Sequence, residues 1–135
     1  MTGHAGTAAS YFCKRKLFHY IQRFARPDHT YAFTEAFVAA DRDFLNAAFQ
    51  EGRFNDARAG ACVVVCHVSE DGVVTAANAG DCRALVGRRT NSSAPSEWQC
   101  LPLTLDHQVE NPKERERLLR EHPDEPDLFG RPHDP

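Results

Sequence analysis

The sequence has no long hydrophobic run, no excess of basic charge and no regular cysteine framework. No apolar stretch approaches the roughly 20 residues that a membrane-spanning helix needs, so no transmembrane segment is predicted. The 16 basic residues are outnumbered by 19 acidic ones, which gives a formal net charge of −3. Binding to nucleic acid or to an anionic lipid surface is therefore not expected. A length of 135 residues corresponds to a single domain.

The cysteines and the amino-terminal residues indicate the type of cellular compartment. Five cysteines, an odd number without regular spacing, predict reduced thiols rather than a disulfide scaffold. The amino end has neither the apolar core of a signal peptide nor an Arg- and Ser-rich transit pattern. An intact targeting segment is thus not expected in this sequence, and the thiols indicate a cytosolic or matrix-like compartment.

Two amphipathic segments predict helices that cover one face of a sheet. The first spans about 8–24 with Thr7 as its N-cap, and the second spans about 30–50 and ends at Gly52. Both carry aromatic residues at steps of three and four. Such stripes are far more often core than cofactor site.

Four further runs predict an antiparallel meander. A turn at Ser69–Gly72 joins the first pair, and Gly80 supplies the positive φ for a tight turn between the second and third strands. The strands are expected at about 61–68, 73–78, 82–87 and 98–104. With the helices on one side, the fold class is α+β, and the opposite sheet face is expected to be unusually apolar.

The remaining segments are predicted to lie at the surface. The polar stretch Arg88–Glu97 predicts a mobile hairpin loop, solvated rather than phosphate-binding. Near 112–121 a mainly polar surface helix is expected, with Asn111 as N-cap and Pro112 at its first position. The prolines in 123–135 predict an irregular end, which leaves 1–122 as the domain.

Three short motifs contain residues that could act in catalysis. Gly3-His4-Ala5-Gly6 leads into the first helix, 77–84 reads Ala-Asn-Ala-Gly-Asp-Cys-Arg-Ala, and 104–107 reads Thr-Leu-Asp-His. Taken alone, a histidine near a chain end is usually inert surface. Asp81, in the turn, is as readily explained as a cap for its own backbone.

In combination, these motifs resemble the type 2C (PPM) family of metal-dependent serine/threonine protein phosphatases. Gly-His-x-Gly together with Ala-Asn-x-Gly-Asp-x-Arg is the specific part of the pattern, and Ala59–Cys62 matches a further strand motif. Leu17–Ile21 and Cys66–Val68 are similar to the mitochondrial pyruvate dehydrogenase phosphatase branch. The resemblance extends to about His122. It implies part of an αββα sandwich, an amino-terminal and central fragment truncated at both ends.

The resemblance also implies a site and a cofactor. Family members use two Mg²⁺ or Mn²⁺ ions to activate water against a phosphoprotein substrate. By this resemblance, Gly3 offers its backbone carbonyl to a metal and His4 is the general acid that protonates the leaving oxygen. Asp81 matches a carboxylate at metal-bound water or at a further metal. No phosphate-binding residue is assigned.

Departures from the family pattern affect the expected activity. Thr2 stands where the pattern has the aspartate that bridges the metals, and the other ligand aspartates have no counterpart here. The resemblance therefore implies a family member acting on phosphoserine or phosphothreonine proteins, a pyruvate dehydrogenase component among them, with this chain itself inactive. The alternatives are a non-catalytic pseudophosphatase that binds partners and an inert fragment. The implied location is the mitochondrial matrix, with the cytoplasm as the alternative.

Two cysteine arrangements predict no chemistry of their own. Cys62, Cys66 and His67 suggest zinc, but on a strand the histidine points away from both cysteines. Cys82 stands where the family pattern has serine, and no base that could activate it is evident. It is interpreted as a tolerated small residue.

Overall fold

The computed structural model describes residues 2–25, 29–89, 98–125 and 128–129. A short strand comes first, followed by two long helices, four further strands and a short helix, so the α+β class is confirmed. The elements are β1 (Thr2–His4), α1 (Ala8–Arg23), α2 (His29–Gln50), a 3-10 turn (Asp56–Arg58), β2 (Gly60–Val68), β3 (Val74–Ala79), β4 (Leu85–Arg89), β5 (Trp98–Pro102) and α3 (Pro112–Glu121). All three predicted helices lie within one residue of their expected ends.

The helix ends show why these boundaries could be predicted. Gly52 has φ 68°, and the Arg53 N–H donates to the Ala48 carbonyl at 2.8 Å, which ends α2 in a left-handed turn. Asn111 caps α3 by accepting a bond from the Lys113 N–H at 3.1 Å. Thr7 stands at the N-cap of α1 as predicted, but its side chain makes no capping bond.

The strands form two separate sheets rather than one meander. One sheet has the order β1-β2-β3, and the other pairs β4 with β5; all pairs are antiparallel. Among the described residues, β3 and β4 share no ladder, and β4 begins at Leu85 rather than at 82. The predicted four-stranded meander was wrong at this point. The side chain of Asn78 binds the backbone carbonyls of Gly80 and Cys82, which holds this segment in a turn.

The two long helices pack on one face of β2 and β3. The helices contact the sheet mainly through small residues, since eight of the twelve buried hydrophobic side chains among the described residues are alanines. Leu17 and Val63 join Ala36 and Ala40 in the main cluster, with partly buried aromatic residues around it. The small side chains let the helices approach the sheet closely.

The other face of β2 and β3 is exposed and apolar. Residues paired directly across an antiparallel ladder share a face, and on this side the pairs are Val64 with Asn78, Cys66 with Ala76, and Val68 with Val74. The three valines are 39–65% exposed. The predicted apolar second face is confirmed, with one polar residue, Asn78, at its end.

Two predicted surface segments are only partly described. Arg88 and Arg89 belong to β4, where they pair with Gln99 and Trp98. The rest of the predicted loop, 90–97, lies outside the described residues, as does most of the predicted irregular end at 123–135. Within the described part of the chain, no helix has the length and hydrophobicity to cross a membrane.

Candidate functional site

Strand β1 places Gly3 and His4 at the edge of the first sheet. Gly3 lies opposite Ala61 of β2, and His4 lies opposite Gly60. The His4 imidazole covers Gly60 so closely that a Cβ on that glycine would overlap the ring. Gly60, which sequence reasoning did not single out, therefore makes room for the proposed general acid.

The turn at Gly80 lies on the other side of the same strand. Val63 pairs with Ala79, so the next position brings Gly80 beside Cys62. A Cβ on Gly80, whose φ is 83°, would overlap the Cys62 sulfur. Since neighbouring strands are about 4.8 Å apart, the Gly80–Asp81 turn lies two strand spacings, ~10 Å, from β1 across β2.

The register thus brings the three expected site residues to one end of the sheet, but not into direct contact. Gly3, His4 and Asp81 are all exposed. Within the described ranges, no group of three or more His, Cys, Asp or Glu side chains is arranged to hold a metal ion. Mg²⁺ demands near-octahedral oxygen coordination, so one carbonyl and one carboxylate do not fit the pair of ions that the family uses.

Asn78, which the sequence motif contains but whose role was not predicted, organises this end of the sheet. Its Nδ2 donates to the carbonyls of Gly80 at 3.2 Å, Cys82 at 3.0 Å and Leu105 at 2.8 Å. Two amide hydrogens are thus shared among three acceptors. One side chain therefore connects the end of β3, the Asp81 turn and the chain that follows β5.

An ion pair joins the second and third sequence motifs. The Arg83 guanidinium binds both carboxylate oxygens of Asp106 at 2.8 Å, and this hydrogen bonding lowers the pKa of Asp106. Beside it, the Ala84 N–H donates to the Thr104 hydroxyl at 2.9 Å, and the Leu103 N–H donates to the Ala84 carbonyl. Residues of the two motifs therefore bind one another across 20 to 23 positions of the sequence.

The third motif also anchors α3. The His107 N–H donates to the Gly80 carbonyl at 3.0 Å, and its ring Nδ1 lies 2.9 Å from Glu114. Glu114 is only 9% exposed and is bound by Arg117 as well. Hydrogen bonds lower the pKa of Glu114 from 4.5 to about 2; the bond from Arg117 has the largest effect and the bond from His107 the next largest.

The cysteines near the turn are free thiols. Cys82 Sγ lies 3.4 Å from the Ala79 carbonyl, and burial, with the neighbouring Cys62, raises the pKa of Cys82. His67 stacks on His29 of α2, with ring centroids 4.0 Å apart, while Cys66 lies on the exposed face. Cys66 and His67 thus point to opposite faces of the sheet, as successive side chains of a strand do.

Known proteins are similar to this chain over half or more of its length. The family described as Protein phosphatase 2C matches residues 1–132. Over 69 residues the chain is 46% identical to pyruvate dehydrogenase (acetyl-transferring) phosphatase 2, mitochondrial, of Homo sapiens; the match covers 50% of this chain and 12% of that protein. No solved structure matches the chain.

Plant relatives match nearly the whole chain. Probable protein phosphatase 2C 48 of Arabidopsis thaliana is 30% identical over 131 residues, which covers 93% of this chain and 33% of that protein. Probable protein phosphatase 2C 78 of Oryza sativa subsp. japonica is 34% identical over 128 residues, which covers 91% and 32%. The chain spans about a third or less of the length of these relatives. Because the match extends over residues 1–132, the chain belongs to the protein phosphatase 2C family, whose members are serine/threonine protein phosphatases.

Proposed function

We propose that this chain contributes the Gly-His and Gly-Asp motifs to a phosphatase site for phosphoserine and phosphothreonine proteins. The observation that supports this is the sheet register. Gly3 and His4 on β1 and the Gly80–Asp81 turn after β3 lie on either side of β2 at the same end. A substrate phosphate bound over that end would lie within reach of both motifs.

Each residue has a separate role in the proposal. The Gly3 carbonyl and the Asp81 carboxylate are oxygen donors of the kind that Mg²⁺ and Mn²⁺ prefer. His4 donates a proton to the leaving serine or threonine oxygen. Its ring is exposed and lies over Gly60, so that it can reach a bound substrate without displacing backbone.

The polypeptide by itself is proposed to be inactive. Metal activation of water needs several carboxylates converging on the cations, and Thr2 occupies the position where the family pattern has a bridging aspartate. Of the metal-ligand positions in the family pattern, the described residues retain the Gly3 carbonyl and Asp81. Without activated water, His4 has no reaction to assist.

We further propose a substrate and a cellular location for the protein. The similarity to a relative whose name specifies pyruvate dehydrogenase phosphatase and mitochondria supports a phosphoserine in a pyruvate dehydrogenase component as the target, and the matrix as the location. That similarity covers 50% of the chain, whereas the family match covers residues 1–132.

The test is turnover of para-nitrophenyl phosphate and of a phosphoserine peptide by the purified chain with Mn²⁺, alongside calorimetric titration with Mn²⁺. We expect no turnover, and no Mn²⁺ binding tighter than the millimolar range. Thr2→Asp alone should restore neither.

A matched pair of variants makes the outcome interpretable. His4→Ala removes the proposed acid, whereas His19→Ala removes an exposed histidine of α1 far from the sheet end. Turnover that is abolished by a chelator and by His4→Ala, but not by His19→Ala, would show that the chain is a working enzyme and overturn the proposed inactivity. Turnover that is indifferent to His4→Ala would instead refute the role given to His4.

A further inference from the structure

Two thiols lie next to the peptide that joins Ala79 to Gly80. The Cα of Cys62 lies 3.4 Å from the position that a Cβ on Gly80 would occupy, and the Cys62 sulfur lies in the space left by the missing side chain. At the hairpin end of the β2–β3 ladder, the Ser69 N–H donates to the Val73 carbonyl at 2.9 Å, so Ser69 and Val73 form a hydrogen-bonded pair.

The pair type fixes the direction of the next carbonyl. Hydrogen-bonded and non-hydrogen-bonded pairs alternate along an antiparallel ladder, so Val63 with Ala79, six pairs further along the same register, is hydrogen-bonded as well. The Ala79 carbonyl therefore points across to β2. Because Cys82 Sγ lies 3.4 Å from that oxygen, the Cys82 thiol lies on the side of β3 that faces Cys62.

From this arrangement we propose that Cys62 and Cys82 are a reversible dithiol–disulfide site, which links β2 to the turn that carries Asp81. The oxidant class is a peroxide. One thiolate attacks a peroxide oxygen, the O–O bond breaks, and the departing hydroxide takes up the proton that the thiol released, which leaves a sulfenic acid and one water. The second sulfur then attacks the sulfenic sulfur, so that an S–S bond forms as the S–O bond breaks and a second water leaves. The two thiols lose two protons and two electrons, and one hydrogen peroxide takes them up to become two waters.

The other three cysteines cannot replace this pair in the folded chain. Cys66 shares a face with Cys62, but four residues along a strand separate them by about 13 Å, well beyond the Cα separation of a disulfide. Cys13 lies on the helix side of the sheet and Cys100 lies on β5. The oxidised product should therefore be a single intramolecular bond.

Peptide mapping tests the proposal directly and does not depend on phosphatase activity. The reduced chain, at low micromolar concentration, is treated with equimolar hydrogen peroxide at pH 8, alkylated, and cleaved after Arg58, Glu70 and Arg83. This separates 59–70, which contains Cys62 and Cys66, from 71–83, which contains Cys82. We expect these two peptides to be linked, with a mass two hydrogens lower than their sum.

Single Cys→Ser variants identify the bond. The link should persist in Cys66→Ser and disappear in Cys62→Ser and in Cys82→Ser, and dithiothreitol should return all five cysteines to the alkylatable form. On oxidation, the urea midpoint of the unsubstituted chain should rise, and that of Cys62→Ser should not. A link that survives in Cys62→Ser, a product dominated by intermolecular dimers, or full alkylation of Cys62 and Cys82 after peroxide treatment would each overturn the proposal.

Discussion

The amide of Asn78 is the most informative side chain to remove. Asn78→Ala deletes the donor that connects the carbonyls of Gly80, Cys82 and Leu105. The side chain is half-buried, so water can satisfy only part of what is lost. Taking about 1 kcal/mol for each of two hydrogen bonds, and a further fraction for a carbonyl left partly buried without a partner, the expected loss is about 2–3 kcal/mol.

Asn78→Asp should be worse than Asn78→Ala at neutral pH. The carboxylate would place a negative charge against carbonyl oxygens that now accept hydrogen bonds, and it has no hydrogen to donate. The excess loss over the alanine variant should shrink as the pH falls below about 4, where the carboxyl becomes protonated. Urea unfolding at pH 7 and pH 3.5 measures both effects.

Asn46→Ala is the matched control, because Asn46 is exposed on α2. Its cost should remain within about 0.5 kcal/mol, as for most surface substitutions. In the Asn78 variants, amide hydrogen exchange should accelerate around Cys82 and Leu105 before it does in the helices. If Asn78→Ala costs no more than Asn46→Ala, the side chain does not organise this end of the sheet and the reasoning fails.

Three further outcomes follow from the packing. The pKa of Glu114 is lowered in the folded chain, so its contribution to the free energy of unfolding should be complete above pH 4.5 and lost as the pH falls toward 2. Because its partners are partly exposed, this contribution should be about 1–2 kcal/mol. Glu114→Gln should remove that part of the acid dependence of the urea midpoint. Gly60→Ala should displace the His4 ring and cost about 1–3 kcal/mol, and unchanged His4 NMR shifts would contradict the overlap. Leu17→Ala, at a site 6% exposed, should cost about 2–4 kcal/mol, whereas Phe18→Ala, at a site 64% exposed on the same helix, should cost far less.

The sequence was sufficient for the elements whose signals are local. Gly52 and Asn111 set helix ends through bonds within five residues of themselves, and the turn before β3 closes through Ser69 and Gly72. Amphipathic spacing likewise placed both long helices. These boundaries depend on neighbouring residues alone, and for that reason the local sequence pattern predicts them.

The pairing of the strands and the long-range hydrogen bonds around the site could not be predicted in the same way. The expected β3–β4 hairpin fails because Asn78 bonds to a carbonyl 27 residues away, and Arg83 pairs with Asp106 over 23 residues. The helix and strand periods of the sequence describe only neighbouring residues, so they cannot predict partners this far apart. Gly3, His4 and Asp81 were expected to share a site and do share one end of the sheet, whereas the roles of Gly60 and Asn78 emerge only once strands are paired.

The bonds among Asn78, Arg83, Thr104 and Asp106 change what a signature of this kind means. These residues hold backbone segments together through contacts that need no metal and no phosphate. A descendant that had lost every catalytic ligand would still be selected to keep them, because without them the turn and the second sheet would come apart. In this family, a match to the Ala-Asn-x-Gly-Asp-x-Arg and Thr-x-Asp-His signatures therefore reports inherited architecture, and it does not distinguish an enzyme from a relative that only binds.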